Sequence, residues 1–293
     1  MRKLVVRYFS GGPWSSLIFD RLLKDPELKK AFIVPRTDSE DLTLLRYSEQ
    51  YGIPCLKGIM INSHEFIEMA EKFAWDLFVS LSFSRIFEPK IANMPPLGTI
   101  NCHVGELPLS RRRNTLSWGL INYDKEFRIT VHFIDNGKDT GDIILQRCLP
   151  ISDSDNCRSL LEAAQTECAR LLNKAIRIVR MGNYDRVVRT TVHSLGLYRG
   201  IRGYGEEIKD RGLIIRKPFN FIRAVFASGP VARTTVGSSP LEVGHAYLIN
   251  SAPNYQGTFR KVESLTDRQY VVRTTDTTIV DTHNGVRGKN QIR

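Results

Sequence analysis

Apolar strands alternate with amphipathic helices along the first two-thirds of this chain, and the alternation predicts an α/β fold with a doubly wound, mainly parallel, Rossmann-like sheet. Two further observations complete the prediction. The strand-like runs before residue 103 are separated by helical segments, as parallel βαβ units require, and the composition after Gly200 shifts toward Gly, Thr, Val and Arg. The expected division is therefore a larger α/β domain over residues 1–205 and a small β-rich C-terminal domain over 206–293. A chain of 293 residues is long enough for roughly two such domains, with a sizeable core in the larger.

Each element has a local reason. Lys3 to Phe9 (KLVVRYF) is a buried first strand, followed by the turn Ser10-Gly11-Gly12-Pro13 and a helix from about Trp14 to Lys24. Ala31 to Pro35 is a second strand, Asp38 to Gln50 a helix with a Ser/Asp start, and Gly52 to Cys55 a short third strand. Phe66 to Phe73 is helical, Leu77 to Leu81 a fourth strand and Gly98 to Cys102 a fifth. Thr115 to Asn122 forms a short helix, and Phe127 to Ile134 and Asp142 to Leu149 are strands flanking the Asp139 loop. Ser154 and Asp155 offer an N-cap to a long helix whose apolar positions run at three- and four-residue spacing to Ile178, with Gly182 as its stop. Beyond it come a helix over Asn220 to Phe226 and β-like runs at Arg233–Val236, His245–Ile249, Tyr270–Thr274 and Thr277–Asp281.

Composition narrows the function classes. The five cysteines, Cys55, Cys102, Cys148, Cys157 and Cys168, are odd in number and lack any CxxC or Cys/His ligand spacing, which argues against a disulfide framework and against a bound metal. No run of about 18 apolar residues appears and Met1 to Ser10 does not read as a signal peptide, so the expected location is the cytoplasm, with no membrane partner. The net charge of +11 is unevenly spread: residues 1–180 carry 25 Lys and Arg against 22 Asp and Glu, and residues 181–293 carry 17 against 9. A basic C-terminal part suits a phosphate-bearing substrate, a nucleic acid, or a merely solvated exterior.

The chemistry concentrates between Asn101 and Asp142. Asn101 and His103 stand where the fifth strand ends, and ligands of open α/β sheets gather outside the carboxyl ends of their strands. Two residues apart on a strand, their side chains share one face; Cys102 between them points away, which removes it as a nucleophile. An amide can hold a developing oxyanion, an imidazole can move a proton near neutral pH, and Asp139, in a Gly-flanked loop, can orient or charge that imidazole. With no hydroxyl or thiol nucleophile in view, the reading is acyl transfer directly between two bound substrates. Trp118 reads as core packing on a short helix, and His132 as a strand residue with a satisfied ring nitrogen.

These residues also resemble a known family. Ile100 to Gly141, reading INCHVGELPLSRRRNTLSWGLIN and then ITVHFIDNGKDTGDII, is similar to the core of the formyltransferases that use formyl-tetrahydrofolate. Arg113-Asn114-x-Leu116-x-Trp118, the run Thr130 to Asp135, the segment Val79 to Asn101 and NFIRAVFASGP near Asn220 most resemble the branch that formylates nucleotide-linked amino-sugars. The resemblance implies that Asn101 holds the formyl oxygen, that His103 accepts or relays the amine proton, and that Asp139 pairs with His103. It implies a tetrahedral intermediate with tetrahydrofolate as leaving group, and 10-formyltetrahydrofolate as donor without a metal. The donor would lie against Ser82, Phe83, Ser84, Arg85 and Ile86 and against the loop of Asp135 and Gly137.

Arg111, Arg113 and Asn114 are the expected contacts for a pyrophosphate-bearing acceptor, dTDP-linked by preference, with Gly11 and Gly12 offering backbone N–H groups. A place in polysaccharide biosynthesis and a homodimer go with this branch. Arg112 stands where the family has Gly, Thr115 where it has Pro and Gly105 where it has a small polar residue, so a loop of different shape is expected. Methionyl-tRNA formyltransferase is the alternative that the basic C-terminal part would suit, although the sugar-like motif makes a nucleic acid the less favoured partner. An inactive nucleotide- or nucleic-acid-binding relative is the non-enzymatic alternative.

Overall fold

The computed structural model describes residues 2–38, 42–57, 60–108, 114–182 and 216–226, and six strand segments at 232–236, 239–243, 245–249, 262–265, 269–273 and 278–282. The chain divides into two compact units, the first made of residues 1–112, 127–149 and 162–198, and the second of 113–126, 150–161 and 199–293. The expected boundary between residues 205 and 206 lies outside the described residues.

The first unit is built on a six-stranded sheet. Its strands are β1 (Leu4–Ser10), β2 (Leu28–Pro35), β3 (Leu77–Leu81), β4 (Thr99–Val104), β5 (Glu126–Phe133) and β6 (Ile143–Pro150), in the order β2-β1-β3-β4-β5-β6. β1 pairs in parallel with β2 and β3, and β3 with β4, whereas β4 and β5 run antiparallel. The mainly parallel, Rossmann-like sheet is thus present. β1 and β3 are buried along their whole length, which is why they read as continuous apolar runs. Helices α1 (Pro13–Leu23), α2 (Thr43–Tyr51), α3 (His64–Glu71), α4 (Pro89–Ala92) and most of α6 (Cys157–Met181) belong to the same unit.

One expected strand is absent. Gly52 to Cys55 contributes only an isolated parallel bridge between Cys55 and Ile33. Pro54 explains it: its carbonyl accepts from the Ile33 amide at 2.8 Å, but it has no N–H to return, so the segment cannot extend a ladder beyond β2. Leu77–Leu81 is consequently the third strand. The long helix also starts differently. Its cap is Asn156, whose side-chain oxygen accepts from the amides of Arg158 and Ser159, while Asp155 instead binds Ser152 and the Ser159 hydroxyl. Gly182 follows the last turn with φ of 67°, a left-handed stop.

Arg7 lies in the middle of β1 with no exposure. Its guanidinium is stacked at 3.8 Å from the Trp75 ring centroid and 4.2 Å from Phe32, and it donates to the carbonyls of Ala70 and Phe73 at the end of α3. Burial lowers its pKa to about 9. An arginine among aromatic faces therefore stitches α3 to the sheet without a carboxylate partner among these contacts. A core of Phe9, Phe32, Phe66, Phe78, Phe87 and their neighbours surrounds it on this side of the sheet.

In the second unit α5 (Thr115–Asn122) and α7 (Arg216–Val225) pack together. Leu116, Ser117, Gly119 and Leu120 form the buried face of α5, so Trp118, expected in the core, is only half-buried. Arg223 donates to the Ser152 carbonyl, and Arg216 to Asp153 at 2.5 Å. Strands β9 (His245–Ile249), β10 (Val262–Leu265), β11 (Gln269–Arg273) and β12 (Thr278–Thr282) form a sheet ordered β10-β11-β12-β9, and β7 (Ala232–Val236) pairs with β8 (Ser239–Val243). The β-rich C-terminal character is present, with β8 and β10 added to the expected runs.

Candidate active site

The site is built where β4 and β5 lie side by side. In their antiparallel register Asn101 faces His132 and His103 faces Thr130, so period-two alternation sets all four side chains on one face. The amide nitrogen of Asn101 is 3.2 Å from Nε2 of His132. Nδ1 of His132 is 2.7 Å from the carbonyl of Phe133, which can only accept; the neutral ring therefore carries its hydrogen on Nδ1. Nε2 then accepts from the Asn101 amide. That contact fixes the amide's orientation and leaves its second N–H for another acceptor.

Asp139 completes the group. Its Oδ1 is 3.6 Å from Nε2 of His132, and its side chain is 16% exposed while that of His132 is 1% exposed. Burial by itself raises the Asp139 pKa, but the neighbouring His132 imidazole and the charges of His103 and Lys138 outweigh it and hold the carboxyl at about 2. Asp139 is thus an anion at neutral pH. The imidazole at its carboxylate is that of His132, while His103, expected to be its partner, acts on it through charge. Sequence reasoning placed His132 in a strand and away from the chemistry. Its central position depends on the β4–β5 register, which no local signal announces.

The loop that carries Asp139 is held by its own residues. Asp135 accepts from the Gly137 amide at 3.0 Å and from the Thr140 hydroxyl. Asp139 itself has φ of 52°. Gly141 is needed because a Cβ there would stand 2.0 Å from the Phe133 carbonyl oxygen, the same oxygen that orients His132. Beyond His103, Thr130 donates to the Gly105 carbonyl at 2.7 Å and receives Gln146 at 2.9 Å, which continues the polar strip onto β6.

The loop after β3 has a separate construction. Ser82 has φ of 53°, and Phe83 turns its ring into the aromatic cluster, with centroids 5.7 Å from both Phe9 and Phe87. Ser84, Arg85 and Ile86, together with Met60, Ile61 and Asn62, line a cavity of about 300 Å3. Ile86 is 67% exposed and Met60 57%. Gly11 and Gly12 stand at the β1–α1 turn, where Gly12 has φ of 89° and their carbonyls accept from Ser15. Asn114 precedes α5 with φ of 55°. Arg111, Arg112 and Arg113 lie outside the described residues. Among the described residues no three His, Cys, Asp or Glu side chains cluster as a metal ion would need, and no helix is long and apolar enough to cross a membrane.

Known proteins resemble this chain in sequence and in fold. Residues 24–176 match the family model described as formyl transferase. The chain is 30% identical over 204 residues to a methionyl-tRNA formyltransferase of Pelotomaculum thermopropionicum, covering 68% of this chain and 62% of that one. The chain thus spans less than two-thirds of that curated relative. Its fold matches a sugar 3N-formyl transferase solved with dTDP and 5-N-formyl-THF, with a TM-score of 0.70 at 18% identity over 96% of this chain and 98% of the other. It also matches an N-formyltransferase of Helicobacter canadensis solved with folinic acid and dTDP-3-aminofucose, with a TM-score of 0.69 at 20% identity over 96% and 99%.

Proposed function

Because this chain belongs to the formyl transferase family, we propose that it is a sugar N-formyltransferase, moving the formyl group of 10-formyltetrahydrofolate to the amine of a nucleotide-linked amino-sugar. The observation that carries the reading is the run Asn101–His132–Asp139 across β4, β5 and the loop that follows β5. It supplies a fixed amide donor, an imidazole and a permanent carboxylate, and no nucleophile. That set suits attack by a substrate amine on a formyl carbon.

When bound, the donor supplies an activated formyl group and leaves as tetrahydrofolate. The cavity beside Ser84–Ile86 suits it chemically: Met60, Ile61 and Ile86 offer apolar surface to a flat aromatic body, and Arg85 offers charge to its carboxylates. Asn101 directs its remaining N–H at the formyl oxygen as negative charge develops there. His103, on the same face, takes the proton that the amine must lose. Asp139, an anion, stands at Nε2 of His132 and acts on His103 through its charge as that proton moves. Arg111, Arg113 and Asn114 remain the proposed contacts of the nucleotide pyrophosphate, with Gly11 and Gly12 beside it.

A dTDP-linked acceptor is favoured by the Arg113-Asn114-x-Leu116-x-Trp118 motif and by a fold match that spans nearly the whole chain. The second reading, methionyl-tRNA formyltransferase, is favoured by the curated relative and by the basic excess after residue 180. Tetrahydrofolate release is to be followed with dTDP-, UDP- and GDP-linked amino-sugars and with methionyl-tRNA. Release with a nucleotide-sugar is expected; release with the tRNA alone replaces the first reading by the second, and release with none removes both.

A further inference from the structure

The loop Ser82–Ile86 is fastened at both ends by side chains from other elements. At its start, Nη1 of Arg36 donates to the Ser82 carbonyl at 3.1 Å, across the left-handed turn that Ser82 makes. The same guanidinium holds Asp38 through two bonds of 2.8 Å, and Asp38 accepts from the Ser84 hydroxyl at 2.9 Å. At its far end, Asn62 donates to the Ile86 carbonyl at 2.9 Å and accepts from the Glu88 amide at 3.1 Å.

The first clamp is built into the sheet. The Arg36 amide donates to the Ser10 carbonyl at 2.9 Å, and the Arg36 stem lies so close over Gly11 that a Cβ there would stand 2.4 Å from its carbons. Gly11 is thereby explained as the residue that lets Arg36 cross the end of β1. The hydrogen bonds from Arg36, and then from Ser84, hold the Asp38 carboxyl below the ordinary carboxylate range, so the pair stays charged at neutral pH. The loop between the two clamps is the one whose side chains line the cavity described above.

We propose that Arg36, Asp38 and Asn62 are positioning residues for formyl-donor binding, holding the Ser82–Ile86 loop in its binding shape before the donor arrives. This rests on the formyltransferase reading. A loop that is already ordered loses little entropy on binding, so releasing it weakens donor affinity while the reacting groups on β4 and β5 keep their places.

The test is binding of 5-formyltetrahydrofolate by calorimetry to the wild-type chain and to Arg36→Gln, Arg36→Lys and Asn62→Asp, with kcat and KM measured for donor and acceptor. Loss of one or two net hydrogen bonds predicts a dissociation constant and donor KM raised about tenfold in Arg36→Gln, a smaller change in kcat, and an unmoved acceptor KM. Arg36→Lys, which keeps a single contact, falls between. If Arg36→Gln does not fold, Asn62→Asp, which keeps the acceptor to Glu88 and loses the donor to Ile86, carries the same expectation. Wild-type binding with equal affinity in the variants overturns the positioning role alone, whereas a wild-type chain that binds no donor overturns both it and the reading on which it rests.

Discussion

The amide nitrogen of Asn101 and Nε2 of His132 face each other across β4 and β5 at 3.2 Å, directly opposed in the strand register. Because Nδ1 of the ring is committed to the Phe133 carbonyl, His132 meets the amide with a lone pair and decides which way it points. An oxyanion donor is useful in proportion to how little it must reorganise when charge appears.

Asn101→Ala is therefore expected to lower kcat about a hundred- to a thousandfold with a smaller change in KM. His132→Phe keeps Asn101 but frees its amide to rotate, and about a tenfold or greater loss in kcat is expected. Steady-state kinetics with saturating donor measure both. A His132→Phe enzyme with wild-type kcat would show that the amide needs no orientation from this ring.

Asp139 gives the site a pH signature. Its carboxyl titrates at about 2 in the folded chain against an ordinary value of 3.8, so the folded state gains from the ionised form. The stabilisation is fully present above pH of about 4 and is lost as pH falls through about 2; its size is about 2 kcal/mol. Asp139→Asn is expected to be less stable than wild type at pH 6, with the gap closing toward pH 2 in denaturant titrations, and to retain almost no turnover. A gap that stays constant with pH, or near-normal turnover, would contradict the role given to this carboxylate.

How much of this could be read beforehand follows the range of the interactions. β1 and β3 were legible because each is a short buried run, and the shared face of Asn101 and His103 on β4 follows from the two-residue period of a strand alone. The pairing of His132 with Asn101 was not legible: it needs the register of two strands joined by more than twenty residues of chain, and the sequence of either strand allows several registers. The Arg36 clamp is of the same kind, since it joins the ends of β1, β2 and β3 through Ser10 and Ser82. The error at Gly52–Cys55 was local instead. Pro54 stood in the sequence, and its missing N–H should have demoted the segment to an edge contact.

Gly141 ties the stability of the loop to the chemistry of the site. A methyl group there meets the Phe133 carbonyl oxygen at 2.0 Å and its carbon at 2.7 Å, both backbone atoms with no rotamer to turn. Phe133 is also held from its own amide, which donates to the Asp142 carbonyl at 2.9 Å, so the strand cannot retreat without breaking the return from the Asp139 loop. Gly141→Ala is expected to cost more than about 2 kcal/mol in unfolding free energy. It should also lower kcat, because the displaced carbonyl is the one that sets the His132 tautomer and, through it, the Asn101 amide. Gly119→Ala, on α5, is the contrasting case: the Cβ there meets only side-chain atoms, at 3.5 Å or more, so the loss should be smaller on both measures. Equal losses in the two variants, in urea titration and in kcat, would separate Gly141 from the orientation of His132.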